Sequence, residues 1–432
     1  MGAPETAVAA FARSIALAPD DIVAHGNRLF TLSFMTGTDD AQLFKEARAW
    51  ARTVEKRWAP MPLRCPSRRA KRLRIGYHSY EYFRRSLLDD YFPPLLRHHD
   101  RDRFEIVLMA DGGRRDARTD ELRAMADGWV ELAGLDLAGK VGRMRAADLD
   151  IAVCLTGYLA IQRVVFAPRV APIQVAHMNH VATTGLAVFD YRITDRWLDP
   201  PGETEAWNVE RLVRLENGYV PVTAPEPAPA LSPPPALANG YVTFGSFNNL
   251  AKVTQATLQL WGRVLAAVKR SRLLLKARVL DDPGVRAVYA MRCGEAGIPP
   301  DRIDFVGEVA AHGEHLAAIA AADIGLDPTP FSGGHTTVEA LWMGVPVINL
   351  RSNSVVGRLG ASLLCRAQLD AFLATSAEEY VETAAALARD LARLGALRRT
   401  MRSKLLASPL FDASAYTQQL EHAYEAMVRE RR

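Results

Sequence analysis

Residues 223–238 hold six prolines in sixteen positions, and this connector constrains the fold more than any other stretch. Proline has no backbone N–H to give to a helix or a sheet. A segment of this composition is stiff and extended, and it marks a domain boundary. On both sides of it, short β-rich runs alternate with helical segments, the pattern of a doubly wound sheet. Residues 73–77, 104–108 and 150–155 are such runs before the connector. Residues 241–246, 273–276, 303–306, 324–326 and 345–348 are such runs after it. Thr254 is placed to cap a helix with Leu258, Trp261, Leu265 and Val268 on one face.

Five segments follow. Residues 1–70 read as helices: small and apolar residues, a Pro19-Asp20-Asp21 turn, then Ala24, Leu29 and Leu32, a pattern similar to the edge of a tetratricopeptide array. Residues 71–222 form a first Rossmann-like lobe, 223–240 a linker, 241–405 a second lobe and 406–432 a terminal helix. Two doubly wound domains imply a ligand in a cleft between them, at the carboxyl ends of the strands.

Composition narrows the function classes. Of the 432 residues, 49% are hydrophobic and 24% charged, as in an ordinary globular protein. No apolar run is long enough for a membrane span. The start, Met1-Gly2-Ala3-Pro4-Glu5, lacks the features of a signal peptide, so a cytoplasmic location is expected. Cys65, Cys154, Cys293 and Cys365 form no CxxC pair, which argues against a zinc ribbon and fits a reducing compartment. Cys154, in an apolar run, reads as core. Net charge is +4. The basic run Arg68-Arg69-Ala70-Lys71-Arg72 has no interleaved aromatics, so no nucleic-acid partner is expected.

The chemistry concentrates at two strand ends. Phe331-Ser332-Gly333-Gly334-His335-Thr336-Thr337 follows the 322–327 run and leads into helical sequence. A glycine loop, two hydroxyls and an imidazole at a helix N-terminus suit a phosphate. The alternative is local: Thr336-x-x-Glu339 fits a capping box, which needs no ligand. After the 241–246 run, Phe247-Asn248-Asn249-Leu250-Ala251-Lys252 puts an ammonium just before a helix start. Two such motifs in one domain favour an anionic ligand over a solvated lysine.

Phe247-Asn248-Asn249-Leu250-Ala251-Lys252, Gly334-His335-Thr336-Thr337 and Glu339-Ala340-Leu341-Trp342-Met343-Gly344-Val345-Pro346 together resemble the O-GlcNAc transferase family, which includes the SPINDLY-type O-fucosyltransferases. In the first half, Arg74-Ile75-Gly76-Tyr77, Thr183-Thr184-Gly185 and Asp190-Tyr191-Arg192-Ile193-Thr194-Asp195 match as well. The resemblance implies a GT-B glycosyltransferase, inverting and metal-independent, with two Rossmann-like domains facing across a cleft. It implies that Lys252 neutralises the β-phosphate of the leaving nucleotide, and that Gly334, His335, Thr336 and Thr337 hold the diphosphate. Glu339 stands at the ribose carboxylate, His315 at the histidine that stacks on uracil, Ala310 at the residue whose backbone reads the base edge. Asn249 replaces a glutamine of the animal enzymes. Charge developing on a departing diphosphate is stabilised by a lysine and preorganised helix-end donors, so no cofactor or metal is needed. Asp148-Leu149-Asp150 enters its strand and reads as a turn. His312-x-x-His315 has metal-ligand spacing without an evident third ligand.

The first lobe departs from the family. Arg85 stands where a histidine is usual, and a guanidinium does not act as a base near neutral pH; it suits a phosphate or an acidic sugar or acceptor. The loop His177-Met178-Asn179-His180 replaces glycines and a proline. His180 is a candidate replacement base, and the alternative is a pair of hydrogen-bonded loop histidines. The expected partners are a UDP-sugar (UDP-GlcNAc or another UDP-hexose) and a Ser or Thr hydroxyl of a protein or peptide. A GDP-fucose or acidic sugar-nucleotide donor, and a silent nucleotide-sugar-binding scaffold, are the other readings.

Overall fold

A computed structural model describes residues 4–63, 71–80, 83, 91–157, 160–178, 180 and 182–431. Arg85 lies outside the described residues, as do Asn179 and residues 68–70 of the basic run. The chain divides into two compact units, described separately.

The unit built on Asp39–Thr223 holds a seven-stranded sheet. Its strands are β1 (Leu73–Ser79), β2 (Phe104–Ala110), β3 (Gly128–Glu131), β4 (Ile151–Cys154), β5 (Ile173–Ala176), β6 (Tyr191–Thr194) and β7 (Arg211–Arg214). All pairs are parallel, in the order β3-β2-β1-β4-β5-β6-β7. Helices Ile22–Leu32 and Asp40–Arg57 belong to this unit. Trp50, fully buried, joins its core, and the Arg163 guanidinium lies 4.8 Å over the indole. Gly185 has φ +75°, and a Cβ there would sit 2.4 Å from the Ala47 carbonyl oxygen, so only glycine lets this loop meet the Asp40–Arg57 helix.

The last helix, Ala413–Arg431, folds with the same unit. Glu421, 2% exposed, accepts hydrogen bonds from His99 Nδ1 (2.9 Å) and from the Asp100 amide (2.8 Å). A carboxylate only accepts, so His99 Nδ1 donates and its Nε2 accepts from the Tyr77 hydroxyl at 2.8 Å. Cys154 is fully buried, and burial pushes its thiol up to about 12, as a core cysteine requires. Asp150 accepts from the Arg74 amide while Asp148 has φ +50°, so the Asp-Leu-Asp run is a turn into β4.

The second unit, on Ala224–Phe411, holds β8 (Val242–Ser246), β9 (Ser271–Lys276), β10 (Ile303–Val306), β11 (Ile324–Leu326), β12 (Val347–Leu350) and β13 (Leu373–Ala374). The order is β10-β9-β8-β11-β12-β13, again all parallel. Both sheets therefore wind outward in two directions from a central pair, β1/β4 and β8/β11. Thr254 caps the Gln255–Ala267 helix by accepting from the Thr257 amide, with Leu258, Trp261 and Leu265 buried beneath. No helix among the described residues is long and apolar enough to cross a membrane.

Candidate functional site

A doubly wound sheet leaves a crevice where its strand order reverses, at the carboxyl ends of the two central strands. In the second unit those are the ends of β8 and β11, and both phosphate-type motifs begin there.

From β8 the chain passes through buried Phe247 and Asn248 into a short 3-10 turn, Leu250–Lys252. The Asn249 side chain closes the turn by accepting from the Ala251 amide at 3.0 Å. Lys252 leaves the turn half-buried, donates to the Ser332 carbonyl at 2.8 Å and lies 4.1 Å from the Phe331 ring centre. Burial brings its ammonium down to about 8, with the charge of Asp327 pulling the other way.

From β11 the chain enters the loop through Asp327, 2% exposed. Its carboxylate accepts from Asn349 Nδ2 at 3.0 Å and from the Thr337 hydroxyl at 3.3 Å. Burial pushes the Asp327 carboxyl up, while Asn349 and Lys252 oppose the shift. A Cβ on Gly333 would lie 2.2 Å from Thr337 Oγ1 and 2.5 Å from Asp327 Oδ1, so the loop takes this path only with glycine. A Cβ on Gly334 would meet nothing within 4 Å. Gly333 thus serves the protein's own packing, and Gly334 borders open space.

The His335–Trp342 helix starts at Gly334, which corrects the capping-box reading: the N-cap is Gly334, without a side-chain cap. Tertiary partners take both side chains instead. The Thr336 hydroxyl donates to Asn248 Oδ1 at 3.1 Å, tying the two strand-end loops together. Glu339, 1% exposed, lies under three imidazoles: His315 Nε2 at 3.0 Å, His335 Nε2 at 3.2 Å and His312 Nδ1 at 3.9 Å. Burial pushes its carboxyl up, but the His315 and His335 hydrogen bonds win and hold it at about 2. In the free protein the Glu339 carboxylate thereby orients imidazoles, its oxygens facing His315 and His335. Thr337, 1% exposed, turns its hydroxyl to Asp327 and its amide to the Gly334 carbonyl, so it holds the loop in shape.

His315 lies on the His312–Ala320 helix, and exposed Ala310 is in the loop before it. The Lys276 ammonium, at the end of β9, reaches His315 Nδ1 at 2.7 Å. Burial lowers the Lys276 pKa. Sequence reading missed Lys276 and Asp327 as site residues. Their only signal was an ionisable residue closing an apolar strand. Among the described residues, no group of three or more His, Cys, Asp or Glu is arranged to hold a metal ion.

One unit thus gathers Lys252, Asn249, His315, Gly334, His335, Thr336, Thr337 and Glu339 around two strand ends. An ammonium beside a helix N-terminus, where amides lack intrahelical partners, is an arrangement for a multiply charged anion.

His180 belongs to the other unit. Its ring covers Gly157, where a Cβ would lie 2.2 Å from it, and Nε2 is 3.4 Å from the Cys154 carbonyl. Burial, with Arg163 and Arg192 nearby, takes its pKa well below 6.5, so the ring is neutral at pH 7. His177 is fully buried against Tyr416 (2.6 Å) and the Tyr219 carbonyl (3.2 Å), and burial lowers its pKa to about 3. It is a structural histidine. The neighbouring Thr183 and Thr184 both turn their hydroxyls to Glu210.

The pattern of glycosyl transferase family 41 matches residues 58–220 and 235–420. The probable UDP-N-acetylglucosamine–peptide N-acetylglucosaminyltransferase SPINDLY of Solanum lycopersicum is 37% identical over 419 residues, 95% of this chain and 45% of the relative. Its Petunia hybrida namesake is 36% identical over 418 residues, 95% of this chain and 44% of the relative. The chain therefore spans less than half the length of these curated relatives. A solved mutant of the Thermobaculum terrenum O-GlcNAc transferase superposes with TM-score 0.91 at 33% identity, covering 100% of this chain and 82% of that one. The fold is GT-B, and the chain belongs to glycosyl transferase family 41.

Proposed function

We propose that this protein transfers a sugar, GlcNAc or another hexose, from a UDP-sugar to a Ser or Thr hydroxyl of a protein or peptide, without a metal and with inversion. The acceptor oxygen attacks the anomeric carbon, its proton passes to a base, and the bond to the β-phosphate breaks with its electron pair on the departing UDP. The observation that carries this reading is the Lys252 ammonium, fixed on the Ser332 carbonyl beside the start of the His335–Trp342 helix. A cation and helix-end amides already in place when charge appears on the leaving group lower the barrier without reorganisation. Gly334, His335 and Thr336 line the diphosphate in this reading, with Thr337 and Asn249 shaping its loops. Ala310 and the face of His315 meet the uracil. His180 is the proposed base and Arg85 the proposed contact for an anionic part of donor or acceptor.

Calorimetric titration with UDP, GDP and CMP tests the donor. UDP is expected to bind tightest; tighter binding of GDP or CMP would overturn the uridine assignment, and no binding would overturn the enzyme reading. Lys252→Ala should keep the fold and lose at least ~100-fold in turnover, the scale of removing one transition-state donor. A fully active variant refutes the leaving-group role.

A further inference from the structure

Lys276 is a charged group at this site that neither the sequence motifs nor the proposed chemistry uses. It is 7% exposed and ends β9 with its ammonium 2.7 Å from His315 Nδ1. The opposite ring nitrogen, Nε2, is 3.0 Å from Glu339 Oε2. An ammonium can only donate and a carboxylate can only accept. The imidazole between them satisfies both in one way: Nδ1 accepts and Nε2–H donates. A ring flip would put the Cδ2 and Cε1 carbons where the two nitrogens stand and lose both hydrogen bonds, and the Nδ1–H tautomer would set an N–H against the ammonium and a bare nitrogen against the carboxylate.

We infer that Lys276 is a positioning residue that locks His315 into its Nε2–H tautomer and a single ring orientation, so that the imidazole offers a nucleobase its face and not its edges. The inference rests on the nucleotide reading of the site for its consequence, but the lock itself belongs to the free protein. With both nitrogens occupied, the ring, 21% exposed, has only its face left for a planar ligand. Preorganisation of this kind reduces the ordering that binding otherwise requires.

The test uses the full chain with and without UDP. Nitrogen-15 NMR of the His315 ring in the free protein near pH 7 should report protonated Nε2 and unprotonated, hydrogen-bonded Nδ1. Lys276→Met keeps the length of the side chain and removes its donor. It should release the tautomer into a mixture and weaken UDP binding about tenfold, the loss of roughly one charged hydrogen bond. Lys276→Arg, which still donates, should restore both. An Nδ1–H ring in the unsubstituted protein overturns the inference without any variant. So does a Met variant with unchanged tautomer, whatever its UDP affinity. Failure of UDP to bind the unsubstituted protein would instead sink the nucleotide reading and leave the tautomer result standing.

Discussion

Lys252 shows how one residue is tuned by its setting. An exposed lysine keeps its proton to about pH 10.4, whereas burial brings this one down to about 8. The lowered value means the free protein loses the useful ammonium as the pH rises through about 8. If the ammonium carries the leaving group, kcat/KM for the donor should be constant below that value and fall above it. A bound diphosphate favours the charged form, so the limb in kcat should lie at higher pH. A kcat/KM profile flat to about pH 10 would show that burial does not lower the Lys252 pKa in the free protein. His180 sets no limit near neutrality in the same profile, because burial and two arginines keep it neutral well below 6.5.

At the scale of elements, the strands that carry the site were legible, and the edge strands β7 and β13 were not. Runs 241–246 and 324–326 are apolar and end in loops rich in Gly, Asn and Lys, a local signal. The four-residue strand Arg211–Arg214 has a charge at each end, and Leu373–Ala374 is two residues long; neither stands out against helical sequence. The capping box failed for a related reason. Thr336 and Glu339 have the local spacing, but Asn248 and His315 come from elements whose proximity depends on strand order. Lys276 stayed hidden because nothing local says that β9 ends beside the His312–Ala320 helix. Gly333 was legible as a glycine the loop needs, and its reason, space for Thr337 and Asp327, was not. Gly333→Ala forces that loop to move. It should cost about 1–3 kcal/mol, the range for overpacking a close-packed site, and weaken UDP binding at least ~10-fold. Denaturant melts with parallel titrations check both; unchanged UDP affinity would show that the loop does not shape the anion site.

At the scale of the whole molecule, the chain order and the compact units differ. Apart from Ser33–Thr38, which group with the second unit, the chain stays in the first unit to Thr223, builds the second through Phe411, and returns to the first with its last helix. The returning helix supplies Glu421 to His99 and Asp100, and Tyr416 to His177, all buried. Glu421→Ala leaves the His99 Nδ1–H and the Asp100 amide without their acceptor, at a cost of about 2–4 kcal/mol. That loss falls on the unit holding β1–β7. The residues gathered at the ends of β8 and β11 lie in the other unit, between Asn248 and Glu339. Calorimetric scans should therefore separate two effects: Glu421→Ala lowers the transition of the first unit, and UDP raises that of the second by mass action. Isothermal titration of Glu421→Ala below its melting temperature should return the unsubstituted affinity for UDP. A drop of more than about tenfold would mean that the nucleotide site draws on the first unit as well, and that Lys252, His315 and the 335–342 helix are not sufficient to build it.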